Sequence, residues 1–127
     1  MATLEITKDN FKETVGKSGI VILDWWATWC GPCRAFAPIF ESTSNKHADV
    51  VFGKIDTDAQ PELSGAFEIR SIPTLMVFRD GILLFEQPGA MPAAALEDLL
   101  RQVRALNMDD VRREVEAQRA AKEAPKA

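Results

Sequence analysis

The sequence contains no long apolar run, no excess of basic residues and no cysteine beyond a single pair. A membrane helix needs roughly 20 consecutive apolar residues, whereas the apolar run over 20–23 stops at Asp24. The first twenty residues alternate charged and apolar positions and lack the continuous apolar stretch of a secretion signal. We therefore expect a protein of the cytoplasm that makes no contact with membranes.

Charge and length narrow the class further. The net charge of -4 and the isoelectric point near 5.0 argue against binding to nucleic acid, because a phosphate-backbone binder carries a basic patch. The 127 residues, of which 46% are hydrophobic, suit one globular domain with its own core.

The two cysteines, Cys30 and Cys33, have the spacing C-x-x-C. One pair cannot form the multi-bridge framework of a small secreted domain. A structural zinc site needs about four Cys or His ligands, and the chain offers only a lone His47 besides this pair. An inert structural bridge would close a loop too short to constrain the unfolded chain much. Zinc and a structural bridge stay open as alternatives, but the spacing favours a redox pair.

Hydrophobic periodicity and turn residues predict the order β-α-β-α-β-α-β-β-α. Strands are predicted over 4–6, 20–26, 50–56, 75–78 and 83–85. Helices are predicted over 7–15, from just after Trp29 to about His47, over 61–67, and from Pro92 to Leu106. The last of these carries an apolar stripe formed by Leu96, Leu99, Leu100, Val103 and Leu106.

The cysteines therefore lie at the start of a helix. A thiol reacts as its thiolate, which the free N–H groups and positive dipole of a helix N-terminus stabilise. Cys30 is predicted to be the nucleophile, and Cys33, one turn further in, to be the resolving thiol. Gly31 and Pro32 keep the turn tight, and Trp29 adds an aromatic wall beside the reactive sulfur.

The pattern resembles the thioredoxin family. The residues that carry the resemblance are the segment DWWATWCGPCR over 24–34, together with Pro38, Lys54, Ile72-Pro73-Thr74, Gly81 and Gly89-Ala90. It implies an α/β thioredoxin fold over 1–106, with a central five-stranded mixed sheet flanked by four helices. Arg34 stands where many members have lysine, which keeps the positive charge but changes its hydrogen-bonding shape.

The resemblance also implies a protein dithiol-disulfide oxidoreductase that reduces disulfide-containing substrate proteins and contributes to cell redox homeostasis. No cofactor would be bound besides the redox-active disulfide Cys30-Cys33. Electrons would come indirectly from NADPH through a flavoprotein, thioredoxin reductase, and the protein would be a monomer. The alternative is a binding or chaperone-like module, in which groove and tail hold a partner and redox chemistry is incidental.

Asp24 interrupts a strand that reads as buried on both faces. Burial disfavours the anion and raises the pKa of a carboxyl group. In the family this position exchanges a proton with the resolving thiol, here Cys33. Lys54 on a neighbouring strand could reach and tune Asp24. The alternatives without a functional role are a solvated strand end for Asp24 and a surface lysine at position 54.

The bond between Ile72 and Pro73 is expected to be trans from the residues alone, because X-Pro bonds are cis in only about 5 to 6% of folded cases. The family resemblance implies instead a cis proline that faces the cysteines. It also implies an apolar substrate groove, formed by Trp29, Ile72, Pro73, Gly89 and Ala90.

The tail over 107–127 lies outside the family pattern. It is predicted to be a charged, helical and fraying extension, with ion pairs spaced i to i+4 between Asp109 and Arg113, Arg112 and Glu116, and Arg119 and Glu123. The functional alternative is a small contact stripe formed by Val111 and Val115.

Overall fold

A computed structural model describes residues 2–123 as one five-stranded sheet with five helices. The elements are β1 (Thr3–Glu5), α1 (Phe11–Val15), β2 (Ile20–Trp26), α2 (Gly31–Ser44), β3 (Val51–Asp56), α3 (Pro61–Ala66), β4 (Thr74–Arg79), β5 (Ile82–Pro88), α4 (Ala93–Ala105) and α5 (Met108–Glu123). The predicted order is confirmed. The predicted tail also covers residues 124–127, which lie outside the described part of the chain.

The sheet is mixed, with strand order β1-β3-β2-β4-β5. β2 lies at its centre, parallel to β3 and antiparallel to β4. Because side chains alternate along a strand, β2 faces two separate apolar clusters. Ile20 and Ile22 pack with Phe36 and Phe40 of α2, and the other face of β2 packs against α1 and α3. Burial of both faces explains why this strand is nearly continuous in apolar residues.

The topology brings several loops to one end of the sheet. β2, β3 and β5 finish at the end where the antiparallel β4 begins. The segments that follow Trp26 and Pro88 and the segment that precedes Thr74 therefore meet there. These segments contain the cysteines, the Ile72-Pro73 bond and Gly89-Ala90.

The turn between β4 and β5 lies at the opposite end. Asp80 and Gly81 both have positive φ, at 53° and 81°, as a two-residue type I′ hairpin turn requires. The predicted Asp-Gly hairpin is confirmed. The Oδ1 atom of Asp80 also accepts a hydrogen bond from the Gly19 backbone N–H at 2.8 Å, which ties the turn to the start of β2.

α5 begins on this hairpin. Asn107 caps it by accepting hydrogen bonds from the backbone N–H groups of Asp109 and Asp110. Met108 is buried, and an Arg112 guanidinium nitrogen lies 3.6 Å from an Asp80 carboxylate oxygen. The sequence did not predict that the first turn of this helix would be attached to the body.

Two details of the predicted C-terminal half were wrong. The ion pairs of α5 are spaced i to i+3 rather than i to i+4, and they join Asp109 to Arg112, Asp110 to Arg113 and Glu116 to Arg119. Both spacings bring side chains together on one helix face, so spacing did not decide between them. Leu106 does not join the apolar stripe of α4, because it lies beyond the last helical turn and is 41% exposed.

Candidate active site

Cys30 and Cys33 form a disulfide at the N-terminus of α2. Cys30 is the N-cap residue with extended backbone, and its Sγ atom accepts a hydrogen bond from the Cys33 backbone N–H at 3.2 Å. Pro32 occupies the first turn, where a missing N–H costs nothing. This geometry stabilises negative charge on the Cys30 sulfur, because a free helix N–H and the positive end of the macrodipole both point at it. Both cysteines are buried in the disulfide form, so helix position distinguishes them more clearly than exposure does.

The Ile72-Pro73 peptide bond is cis, as the family resemblance implied. The Cys30 Sγ atom lies 3.7 Å from the carbonyl oxygen of Ile72. The Gly89 backbone N–H donates to the carbonyl oxygen of Pro73 at 2.7 Å, so the loop after β5 is held against the segment that faces the cysteines. The predicted groove residues thus meet at one end of the sheet. Pro73 itself is buried, and Ile72 is partly buried.

Trp29 is the most exposed large apolar residue at this end, at 67% exposure. Its indole N–H donates to the Asp58 carboxylate at 2.8 Å. Asp58 lies in the turn after β3, where Asp56 accepts a hydrogen bond from its backbone N–H. Sequence reasoning missed Asp58. The only available signal was two acidic residues, Asp56 and Asp58, just beyond the end of a predicted strand.

Arg34 donates to the carbonyl oxygen of Thr28 at 2.9 Å. The guanidinium therefore ties the first turn of α2 to the segment that leads into Cys30. A lysine ammonium lacks the planar, forked donor geometry of the guanidinium, so it would hold this hydrogen bond less rigidly.

Asp24 is completely buried in the middle of β2. Neither of its carboxyl oxygens has a hydrogen-bond partner among residues 2–123. It lies on the face of β2 that packs beneath α2, the helix that begins with the cysteines. Burial raises the pKa of Asp24 to about 7, and the positive charge of Lys54 opposes this rise. A solvated strand end is therefore wrong, because the carboxyl group has no exposed surface.

Lys54 is the residue of β3 directly opposite Asp24 in the parallel register. It is partly buried, and its ammonium lies 5.0 Å from the centre of the Trp26 ring, within the range of a cation–π contact. Lys54 is therefore not a freely solvated surface lysine. Trp25 is completely buried, whereas Trp26 is only half-buried and packs beside the cysteines.

Within 2–123, no three His, Cys, Asp or Glu side chains lie close enough together to hold a metal ion. None of the helices in that range combines the length and apolar character needed to cross a bilayer.

Comparisons with known proteins agree with this geometry. The thioredoxin family model matches residues 2–102. The chain is 52% identical over 119 residues to putative thioredoxin 2 of Streptomyces coelicolor, which covers 94% of this chain and 89% of that protein. It is 40% identical over 103 residues to the thioredoxin of Staphylococcus haemolyticus, covering 79% of this chain and 96% of that one. Among solved structures, Plasmodium falciparum thioredoxin is similar with a TM-score of 0.71 at 32% identity, covering 77% and 96% of the two chains.

Proposed function

Because this chain belongs to the thioredoxin family and is a protein disulfide oxidoreductase, we propose that Cys30 attacks the substrate disulfide and that Cys33 resolves the product. The observation that carries this division of roles is the hydrogen bond from the Cys33 backbone N–H to the Cys30 sulfur at the helix N-terminus. The donor stabilises a thiolate on Cys30. Cys33 lies inside the first turn, so it does not occupy the N-cap position that Cys30 occupies.

The reaction is two successive thiol-disulfide exchanges. The Cys30 thiolate attacks one sulfur of the substrate disulfide, which forms a mixed disulfide and releases the other substrate sulfur as a thiolate. The Cys33 thiolate then attacks Cys30 in that mixed disulfide. A Cys30-Cys33 disulfide forms, and the second substrate sulfur leaves. Two electrons pass from the protein to the substrate, which ends as a dithiol.

Asp24 is the proposed acceptor of the Cys33 proton. A carboxyl group with a pKa of about 7 is partly ionised at neutral pH, so it can both take up and return a proton. Its position on the face beneath α2 supports this role, and Lys54 opposite it stabilises the ionised form. Trp29, Ile72, Pro73, Gly89 and Ala90 are the proposed substrate groove, in which an extended segment pairs with the backbone before Pro73.

The proposed electron supply is NADPH through a flavoprotein, thioredoxin reductase, in the cytoplasm. A coupled assay tests this part. NADPH, a bacterial thioredoxin reductase, insulin and this protein should together consume NADPH, with saturable dependence on the protein. Without the protein, consumption should be at background. If chemically reduced protein cleaves insulin while the reductase leaves the disulfide untouched, this electron supply is wrong and the exchange chemistry stands.

We also propose that residues 1–106 are the functional unit and that the tail over 107–127 is dispensable for turnover. The tail joins the body at the β4–β5 hairpin, and the cysteines lie at the other end of the sheet. Truncation after Leu106 should leave insulin reduction within about twofold and lower the thermal midpoint by no more than about 5 °C. Among the removed residues that the structure describes, 107–123, Met108 is the one buried side chain.

The matched control is Met108→Ala in the full chain, which should reproduce most of the stability lost on truncation. Arg112→Ala should cost less, because its ion pair with Asp80 is half-exposed. A severalfold loss of turnover, or a dimer that disappears on truncation in sedimentation, would give the tail a role of its own.

A further inference from the structure

An apolar pocket lies beside the proposed groove, between α2 and the loop that joins β5 to α4. Its volume is about 300 Å³, and it is lined by Ala35, Phe36, Ile39, Ala90, Met91 and Pro92. Phe36 is buried and forms the floor, and Ile39 and Met91 are half-buried walls. No lining side chain is charged. We call these six residues the α2 subsite.

The α2 subsite is continuous with the active-site surface. Ala90 belongs both to the proposed groove and to the subsite, and the adjacent Gly89 is hydrogen-bonded to Pro73. On α2, Pro32, Ala35 and Ile39 follow one another at i, i+3 and i+7 and share one helix face. A substrate chain bound across Cys30 and Pro73 therefore passes the mouth of the subsite as it crosses Ala90.

Helix geometry sets the distance that such a chain must span. The subsite extends along α2 from Ala35 to Ile39, which are five and nine residues beyond Cys30, or roughly 7 to 14 Å along the helix axis. An extended chain advances roughly 3.3 Å per residue. About two to four residues of substrate therefore separate the cysteine bonded to Cys30 from the side chain that reaches the subsite.

We propose that the α2 subsite selects among protein substrates by binding one large apolar side chain, such as leucine, located two to four residues from the substrate cysteine. This inference rests on the proposed groove and adds to it a site that discriminates between substrate sequences. Apolar walls with a buried floor favour an aliphatic side chain. The lining side chains are uncharged and apolar, so they give a polar side chain little compensation for lost water.

The test uses short peptides with one cysteine, held as a mixed disulfide with a small thiol, in a Gly/Ser background. A single leucine is placed at each position from four before to four after the cysteine. The wild-type protein should reduce peptides with leucine at a distance of two to four, on one side of the cysteine, about tenfold faster in kcat/KM than the peptide with alanine there. Equal enhancement at every position would overturn the proposal.

Two variants change the subsite in opposite ways. Met91→Ser removes a wall, and Ala35→Phe fills the space. Both should reduce the leucine-to-alanine ratio to about one or two. Leu83→Ala is the matched control, because it removes an exposed apolar side chain on β5 that does not line the subsite, and its ratio should equal that of the wild type. If both subsite variants keep the full ratio, the assignment is wrong.

This result is separable from the proposed function. Reduction of hydroxyethyl disulfide, which is too small to reach the subsite, reports the exchange chemistry by itself. If the wild type fails to reduce it, the roles proposed for Cys30 and Cys33 are wrong. If it reduces this compound but shows no preference for leucine, only the subsite is wrong.

Discussion

Replacing Cys30 with serine should abolish reduction of protein disulfides, whereas replacing Cys33 should leave a protein that attacks once and then stalls. A serine hydroxyl does not ionise near neutral pH, so Cys30→Ser loses the nucleophile and its rate of insulin reduction should fall by at least about a thousandfold. Cys33→Ser keeps the nucleophile but cannot close the internal disulfide. Turnover should be lost in this variant too, while the first attack continues at a rate close to that of the reduced wild-type protein.

The control for this pair is folding. Both variants are compared with the reduced wild-type protein by far-UV circular dichroism and thermal midpoint, since the oxidised protein carries an additional crosslink. Residual multiple turnover in Cys30→Ser, above that of a Cys30→Ser, Cys33→Ser double variant, would mean that Cys33 can act as the attacking thiol.

Asp24→Asn should make the protein more stable at neutral and alkaline pH and slower in catalysis. In the folded protein the pKa of Asp24 is about 7, against an ordinary value of 3.8. The folded state therefore binds the proton more tightly than the unfolded state. The stabilisation from this proton is complete below pH 4 and is lost as the pH rises from about 4 to about 7. Above that range the wild type bears the cost of an ionised buried carboxylate, about 4 kcal/mol.

The measurement is the free energy of unfolding by urea at several pH values between 3 and 9. The stability of Asp24→Asn relative to the oxidised wild type should increase by about 4 kcal/mol from pH 3 to pH 8. The comparison across pH removes the constant effect of placing an amide in a buried site. Asp58→Asn, which changes an exposed carboxylate, is the matched control and should show no such increase.

Two further readouts separate titration from packing. Carbon-detected NMR titration of the Asp24 carboxyl should give a midpoint near 7, and an ordinary or depressed pKa would contradict the account. Insulin reduction by Asp24→Asn should be slower by at least about tenfold at pH 7, because Cys33 loses its proton acceptor. A variant that is more stable at pH 8 yet fully active would leave Asp24 buried and titrating but without a catalytic role.

Much of the site could be predicted, because local sequence preferences and expected burial indicate the same structure at Asp24 and at the start of α2. β2 reads as a strand buried on both faces, and an acidic residue in its middle has to be buried unless the strand ends there. The start of α2 is marked by Pro32 just after Cys30. Only the family resemblance gave the cis bond before Pro73, since residue statistics favour trans.

The remaining contacts depend on which side chains meet across the fold, and local patterns do not contain that information. The indole of Trp29 reaches Asp58, which is 29 residues away. The second helix was predicted to run to about His47, but α2 ends at Ser44, and the His47 ring is partly buried. Its Nδ1 atom accepts from Arg104 at 3.1 Å, and its Nε2 atom meets Glu97. Both partners lie on α4, at least 50 residues further along the chain.

The most direct test of the central claim is to locate the covalent bond in the trapped intermediate. Reduced Cys33→Ser is mixed with a disulfide-containing protein, free thiols are alkylated, and the adduct is digested without reductant for mass spectrometry. We expect one substrate cysteine joined to Cys30, and no adduct from Cys30→Ser under the same conditions. An adduct that forms through Cys33 in Cys30→Ser at a comparable rate would contradict the assignment of Cys30 as the nucleophile.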